Sequence, residues 1–401
     1  MLKPRKLVVL INDELSELRD KGELVSRYYN PGNIFDEVHI VLANADQVDP
    51  EVLRFIVGEA KLHVHALGDA SFFSHLSPRF IDRLQRYVRR AVNLIESIEP
   101  ALLRSYDVGV HSYIAAQAGK ALGLPFVLSL HGNPDLDFRS LTPWWPKWRR
   151  RAMLSVHRHL ERTALRQADV VAAVYTPIVS YAERMGARDV RVLYNVLNPD
   201  VTVRKSSYAL HDPPRLLSVG RQVRAKDPEA IIRALARLDR VTLTQVGMGP
   251  LHEHLKQVAR DCGVASRVTF IPAVPNAQLV TSLPDYDLFV ANNIYVGVAK
   301  AVLEPLLAGL PVIVSKRPGV PNPELDGDWV LAVSNTPDDY AVAIRHLLSS
   351  ESRRAALGHR AAAYAARYHP RVTEQAYADL YQELLSKTRD RLPQNSVSAG
   401  L

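Results

Sequence analysis

The sequence predicts an α/β protein with two doubly wound halves, and three observations carry the prediction. Short apolar runs alternate with helix-length runs along most of the chain, as parallel βα units require. At 401 residues the chain exceeds what one hydrophobic core organises and divides into units of roughly 200 residues. Between the two series of alternation lies an aperiodic stretch, 199–214, with Asp, Ser, Lys, His and Pro, which is read as the linker. The expected division is a first domain at 1–205, a second at 206–370, a helix at 371–390 returning to the first domain, and a disordered tail at 391–401.

The first strand is Lys6–Ile11, ended by Asn12, Asp13 and Glu14. Five apolar residues after a basic start make a strand rather than a signal peptide, and no run nears the ~20 apolar residues that span a bilayer. A cytoplasmic location is the expectation. Strands follow at 38–42 and 61–66, then a helix at 78–98. Residues 107–111 read as a strand end opening onto a loop that carries His111, with a small-residue helix at 115–122. The strand 126–130 delivers His131, Gly132, Asn133, Pro134 and Asp135 at its carboxyl end. Ligands of such sheets bind outside the carboxyl ends of strands, so both histidines are well placed. His111 fits equally well as a satisfied polar group at a core edge, whereas His131, beside Gly and Pro in a loop, reads as functional.

Residues 144–166 combine Trp144, Trp145 and Trp148 with Arg149, Arg150, Arg151, Arg158, Arg162 and Arg166, and Glu161 is the only acid among them. A peripheral contact with an anionic membrane is one reading, and a crossover helix with a solvated basic face is the other. The net charge of +8 favours acidic partners, but no base-reading motif accompanies it, so nucleic acid is not expected. Cys262 is the one cysteine, which excludes an internal disulfide and reads as an inert, core-facing thiol.

The second half opens with the strand 216–220 running into Gly220 and Arg221, with Lys226 just before a helix at 228–238. A glycine at such a turn lets backbone N–H groups approach an anion, and two cations supply charge-assisted hydrogen bonds. The turn therefore reads as a phosphate site. Strands at 241–246, 267–271, 287–291 and 312–315 alternate with helices at 250–262, 276–283 and 298–308, the last carrying Glu304. Helices are expected at 340–348 and 353–366, and 373–385 is amphipathic, with Ala376, Leu380, Tyr381 and Leu384 on one side.

Taken together, Val219-Gly220-Arg221 with Lys226, Val246-Gly247-Met248-Gly249-Pro250-Leu251, Asp287-Leu288-Phe289-Val290 and Leu303-Glu304-Pro305-Leu306-Leu307-Ala308-Gly309-Leu310-Pro311 resemble the group 1, or family 4, retaining glycosyltransferases. The first half matches more loosely, through His111, His131-Gly132 and Val192-Leu193-Tyr194-Asn195. The resemblance implies a GT-B fold, two Rossmann-like domains facing across a cleft. It also implies transfer of a sugar, of the hexosyl type, from a nucleotide-diphosphate sugar to a glycan, lipid-linked or small-molecule acceptor. Neither a cofactor nor a bound metal is implied, and the residues present no His/Asp cluster with ligand spacing.

Carried over by position, Arg221 and Lys226 clamp the donor diphosphate and His131 reaches the transferred sugar, these three being the catalytic candidates. Glu304 binds the donor ribose, backbone amides near Val298 and Ala299 meet sugar or diphosphate, and Gly22 and Gly220 stand for glycines of the donor loops. One departure is plain: Val296 occupies the position of the family's first glutamate and offers no polar side-chain atom. Asn292, Asn293, Tyr295 or Lys300 are the substitute donor contacts, although Lys300, four residues before Glu304, also suits an intrahelical ion pair. An epimerase of the same fold, a non-catalytic sugar-nucleotide binder and a membrane-surface scaffold stand as alternatives.

Overall fold

The computed structural model describes residues 3–20, 22–68, 70, 79–135, 147–195, 197–198, 201, 203–293, 297–316 and 318–391. Val296, Tyr295, Trp144 and Trp145 lie outside the described residues, as does the expected tail beyond Arg391, which itself ends the last helix, Pro370–Arg391. Among the described residues the apolar runs form two all-parallel sheets. The first contains β1 (Lys6–Ile11), β2 (Glu37–Leu42), β3 (Lys61–Ala66), β4 (Leu102–Tyr106), β5 (Phe126–Leu130), β6 (Val170–Ala173) and β7 (Val190–Val192), in the spatial order β3-β2-β1-β4-β5-β6-β7. The second contains β8 (Arg215–Val219), β9 (Thr242–Val246), β10 (Val268–Ile271), β11 (Leu288–Asn293), β12 (Val312–Lys316) and β13 (Leu331–Val333), in the order β10-β9-β8-β11-β12-β13. Each order reverses once, between β1 and β4 and between β8 and β11, and the crevice at such a reversal is where this architecture binds ligands.

Two elements differ from expectation. The strand expected to end at 107–111 is β4, Leu102–Tyr106, and the helix after it starts at Val110 rather than near 115. Arg104 and Ser105 interrupt the apolar run, yet all five β4 residues are buried. Asp107 then takes a left-handed turn at φ 59°, and the Ser112 hydroxyl accepts the Gly109 N–H at 2.8 Å to open the helix. The short, half-exposed β13 carries too little pattern to be read from sequence.

The helix Pro370–Arg391 crosses from the second half to the first. Its Tyr377, Leu380, Tyr381 and Leu384 share a core with Leu7, Val9 and Ile11 of β1. Arg191 binds Glu383 through both guanidinium nitrogens at 2.6 and 3.0 Å, and Arg27 binds Glu374 at 2.7 Å. Within that core the buried Arg104 guanidinium lies 4.4 Å from the centroid of the Tyr106 ring and 4.3 Å from that of Tyr377, and donates to Ser129 Oγ and Tyr381 OH.

The segment read as linker is partly anchored. Lys205 N–H donates to Ala308 O, its ammonium donates to the carbonyls of Pro284 and Tyr286, and Tyr208 OH donates to Gly309 O.

Candidate functional site

A cavity of about 710 Å³ lies between the two sheets, and the turn after β8 forms one wall. Gly220 N–H donates to Val246 O and Gln222 N–H to Met248 O, each at 3.0 Å, so the turn lies flat on the Gly247–Gly249 loop. A Cβ at Gly247, where φ is 128°, would sit 2.1 Å from Gly220 O, which explains why a glycine is needed there. The fully buried Gln222 donates to Gly247 O at 2.6 Å, and His252 Nδ1 contacts its Oε1 at 2.8 Å. That frame presents Gly220, Arg221 and Lys226 to the cavity. Arg221 is exposed, while burial pushes the Lys226 pKa below the usual lysine range, with Glu23 across the cavity opposing the shift.

The helix Lys300–Ala308 opens its N-terminus on the same cavity, where Val298, Ala299, Lys300 and Glu304 form part of the lining. The ion pair expected between Lys300 and Glu304 is replaced by other contacts. Lys300 Nζ lies 4.1 Å from the centroid of the Tyr28 ring, in the first half, and Glu304 Oε1 accepts from Asn276 Nδ2 at 2.7 Å. Burial, the leading cause in both, pushes Glu304 up to about 7 and Lys300 down to about 8. Asn293 is also placed differently from its expected donor-binding role. Its buried amide donates to Gly297 O at 2.8 Å, and Asn292 donates to Asp227 O at 2.9 Å, so both side chains brace the loop instead of facing the cavity.

From the first half, His131 lines the cavity as expected. Its ring Nε2 contacts Asn195 Oδ1 at 2.9 Å, its backbone N–H donates to Asp107 Oδ1 at 2.6 Å, and its ring stacks on Tyr106 at 5.4 Å. Burial, chiefly, lowers its pKa and keeps the imidazole neutral near pH 7. His111 is buried outside the cavity lining, and its Nε2 donates to Tyr106 O at 2.6 Å while its Nδ1 finds no hydrogen-bond partner among the described residues, so it fits the core-edge reading only in part. Gly22, at φ 67°, brings the first half against the second, because a Cβ there would lie 2.9 Å from Pro275 Cα. Gly22→Ala is therefore expected to cost about 1–2 kcal/mol from the left-handed backbone alone. It should also change kcat and donor KM together, because the two halves meet there. Urea unfolding and steady-state kinetics check both effects.

A profile described as Glycosyl transferases group 1 matches residues 202–364, and one described as Glycosyltransferase Family 4 matches residues 36–201. The chain belongs to the group 1, family 4 glycosyltransferases. A similar curated protein is the GDP-mannose-dependent alpha-(1-6)-phosphatidylinositol monomannoside mannosyltransferase of Mycolicibacterium smegmatis, 32% identical over 174 residues, which are 40% of this chain and 46% of that protein. The match thus spans about half the length of such relatives. Among solved structures, sucrose-phosphate synthase of Thermosynechococcus elongatus superposes with a TM-score of 0.69 at 15% identity, over 96% of this chain and 100% of that one. HepE of Anabaena in complex with UDP-glucose superposes with a TM-score of 0.69 at 18% identity, over 95% and 99%. These likenesses show the GT-B fold.

In this family 4 glycosyltransferase chain, sequence reasoning missed several cavity residues: Asp13, Glu23, Tyr28, Asp107 and Asn276. Asp107 follows β4 directly and Asp13 lies two residues past β1, so a correctly placed β4 would have pointed to Asp107. Burial, chiefly, and then the charge of Asp107, raise the Asp13 carboxyl pKa. The sequence also gave no sign of a ligand cluster, yet register brings Glu37, His39 and His63 together on β2 and β3, away from this cavity. In the basic helix Lys147–Gln167, Trp148 is 67% exposed and Arg158 pairs with Asp135 at 2.5 Å. No described helix is long and apolar enough to cross a membrane.

Proposed function

We propose that the chain is a retaining glycosyltransferase that moves a hexosyl group from a nucleotide-diphosphate sugar to a glycan, lipid-linked or small-molecule acceptor. The observation that carries the reading is one cavity that joins Arg221, Lys226 and Glu304 of the second half to His131 of the first. Arg221 and Lys226 hold the diphosphate and take up the negative charge that grows as the sugar–phosphate bond breaks, the part a divalent ion takes elsewhere. Glu304 accepts from the ribose hydroxyls, and the neutral His131 hydrogen-bonds the transferred sugar. Lys300, beside Tyr28, would serve as a third cation toward the diphosphate or an acidic sugar. Relatives with GDP-mannose in their names and a neighbour seen with UDP-glucose support a nucleotide-sugar donor and leave the base open.

A thermal-shift panel of UDP, GDP, ADP and their common sugar conjugates tests the reading on wild type and Arg221→Ala. A ligand at 100 times its Kd stabilises by about 2.7 kcal/mol, which raises Tm by a few degrees in a protein of this size. One nucleotide class is expected to give that shift, and Arg221→Ala to abolish it. No shift from any nucleotide would defeat the donor assignment. Donor consumed with no acceptor present would identify an epimerase instead, and a product with inverted anomeric configuration would refute retention.

A further inference from the structure

We propose that Glu37, His39 and His63 form a binding site for one zinc-class divalent cation on the first sheet, independent of the sugar-transfer reading. The register pairs Glu37 with Lys61 and His39 with His63, and side chains two apart on a strand share a face, so Glu37, His39, His63 and His65 lie together. One ligand atom from each of Glu37, His39 and His63 falls within 4.8 Å of the other two. His39 Nε2 is 3.4 Å from Glu37 Oε2, and His63 Nε2 is 4.0 Å from the same oxygen. Zinc bonds of ~2.0–2.1 Å in a tetrahedron place ligand atoms about 3.3 Å apart, so the first pair is already at the required spacing.

The fourth member, His65, orients the set. His39 Nδ1 contacts His65 Nε2 at 3.0 Å and His39 Nε2 contacts Glu37 Oε2 at 3.4 Å; a bound ion would select the tautomer in which Nδ1–H donates to His65 and the Nε2 lone pair is free to bind metal. Such an outer bond to the second ring nitrogen is how metal-bound histidines are commonly held. The rings of His39 and His63 are parallel at 4.4 Å, so His63, whose side chain is 30% exposed, turns to bring its nitrogen onto the shared point. Lys6, 3.8 Å from Glu37 Oε2, is the charge a bound ion would displace, and Lys61 is the other cation acting on His63. Nitrogen and carboxylate ligands suit zinc or nickel rather than magnesium or calcium.

Glu37 opens β2 while the sugar cavity lies beyond the carboxyl ends of the strands, about 16 Å along at ~3.3 Å per residue. The ion's role is therefore to pin the edge strand β3 to β2, not to join the reaction. Equilibrium dialysis of the untagged full chain against micromolar Zn²⁺ is expected to show one ion per chain at this site, with a rise in Tm that EDTA reverses. His39→Gln, His63→Gln and Glu37→Gln should each weaken binding at least tenfold, and His65→Phe by about 10- to 100-fold. Glu37 and His63 are partly exposed, so their variants decide the matter even if His39→Gln fails to fold. No bound zinc in wild type, or binding unchanged in Glu37→Gln and His63→Gln, would overturn the site.

Discussion

Lys226→Ala is expected to lower kcat by about 100- to 1,000-fold, the usual cost of removing one group that stabilises transition-state charge. The rise in donor KM should be smaller. Lys226 lies over the turn at Gly220, its Cδ 3.7 Å from where a Cβ would be, in surroundings that hold its pKa below the ordinary lysine value. A buried ammonium interacts more strongly with charge that develops beside it than an exposed one, so its contribution is expected to be concentrated in the transition state. Arg221 is exposed, and its loss should weaken donor binding more than it slows transfer. Steady-state kinetics of both variants separate the two roles. A Lys226→Ala enzyme with unchanged kcat and raised KM would show that the lysine binds ground and transition states alike.

Glu304→Gln is expected to weaken donor binding by about 10- to 100-fold at pH 8, as loss of a hydrogen bond to a charged group entails. It should also remove the acid limb of the pH profile. In wild type the carboxyl titrates near 7, so donor affinity should fall by up to about tenfold per unit as pH drops below 7. The stability effect has the opposite sign. Because the folded pKa lies above the unfolded one, the neutral carboxyl is the form the fold prefers, and its stabilisation is lost as pH rises through 7. Without donor, Glu304→Gln should thus gain about 3 kcal/mol over wild type at pH 8 and little at pH 5. Urea unfolding at the two pH values measures this, and equal stability differences at both would contradict the raised pKa.

Much of the fold was legible because parallel strands buried on both faces read as apolar runs. The turn holding Gly220, Arg221 and Lys226 was legible because glycine and cations cluster within a few residues. What was hidden depended on partners far apart in sequence. The polar Arg104 in β4 looks misplaced until Tyr377 and Tyr381 arrive to enclose it. Glu304, four residues on, was the partner the sequence suggested for Lys300, and only the fold brings the Tyr28 ring of the other half against its ammonium. Asn293 looked like a ligand-binding amide, and only the fold reveals the Gly297 carbonyl that occupies it. The histidines of β2 and β3 are about 25 residues apart, and nothing but strand register brings them together.

The enclosure of Arg104 bears on how the chain is made. Tyr106, which stacks on His131, rests on the Arg104 guanidinium, and that guanidinium is capped by Tyr377 and Tyr381 of the last helix. A nascent chain that has released only its first half from the ribosome therefore holds a cation in an open core, with Leu7, Val9 and Ile11 still uncovered on that side. The floor beneath His131 is thus completed by residues about 270 positions further along the chain, and its native packing requires the Pro370–Arg391 helix to be in place.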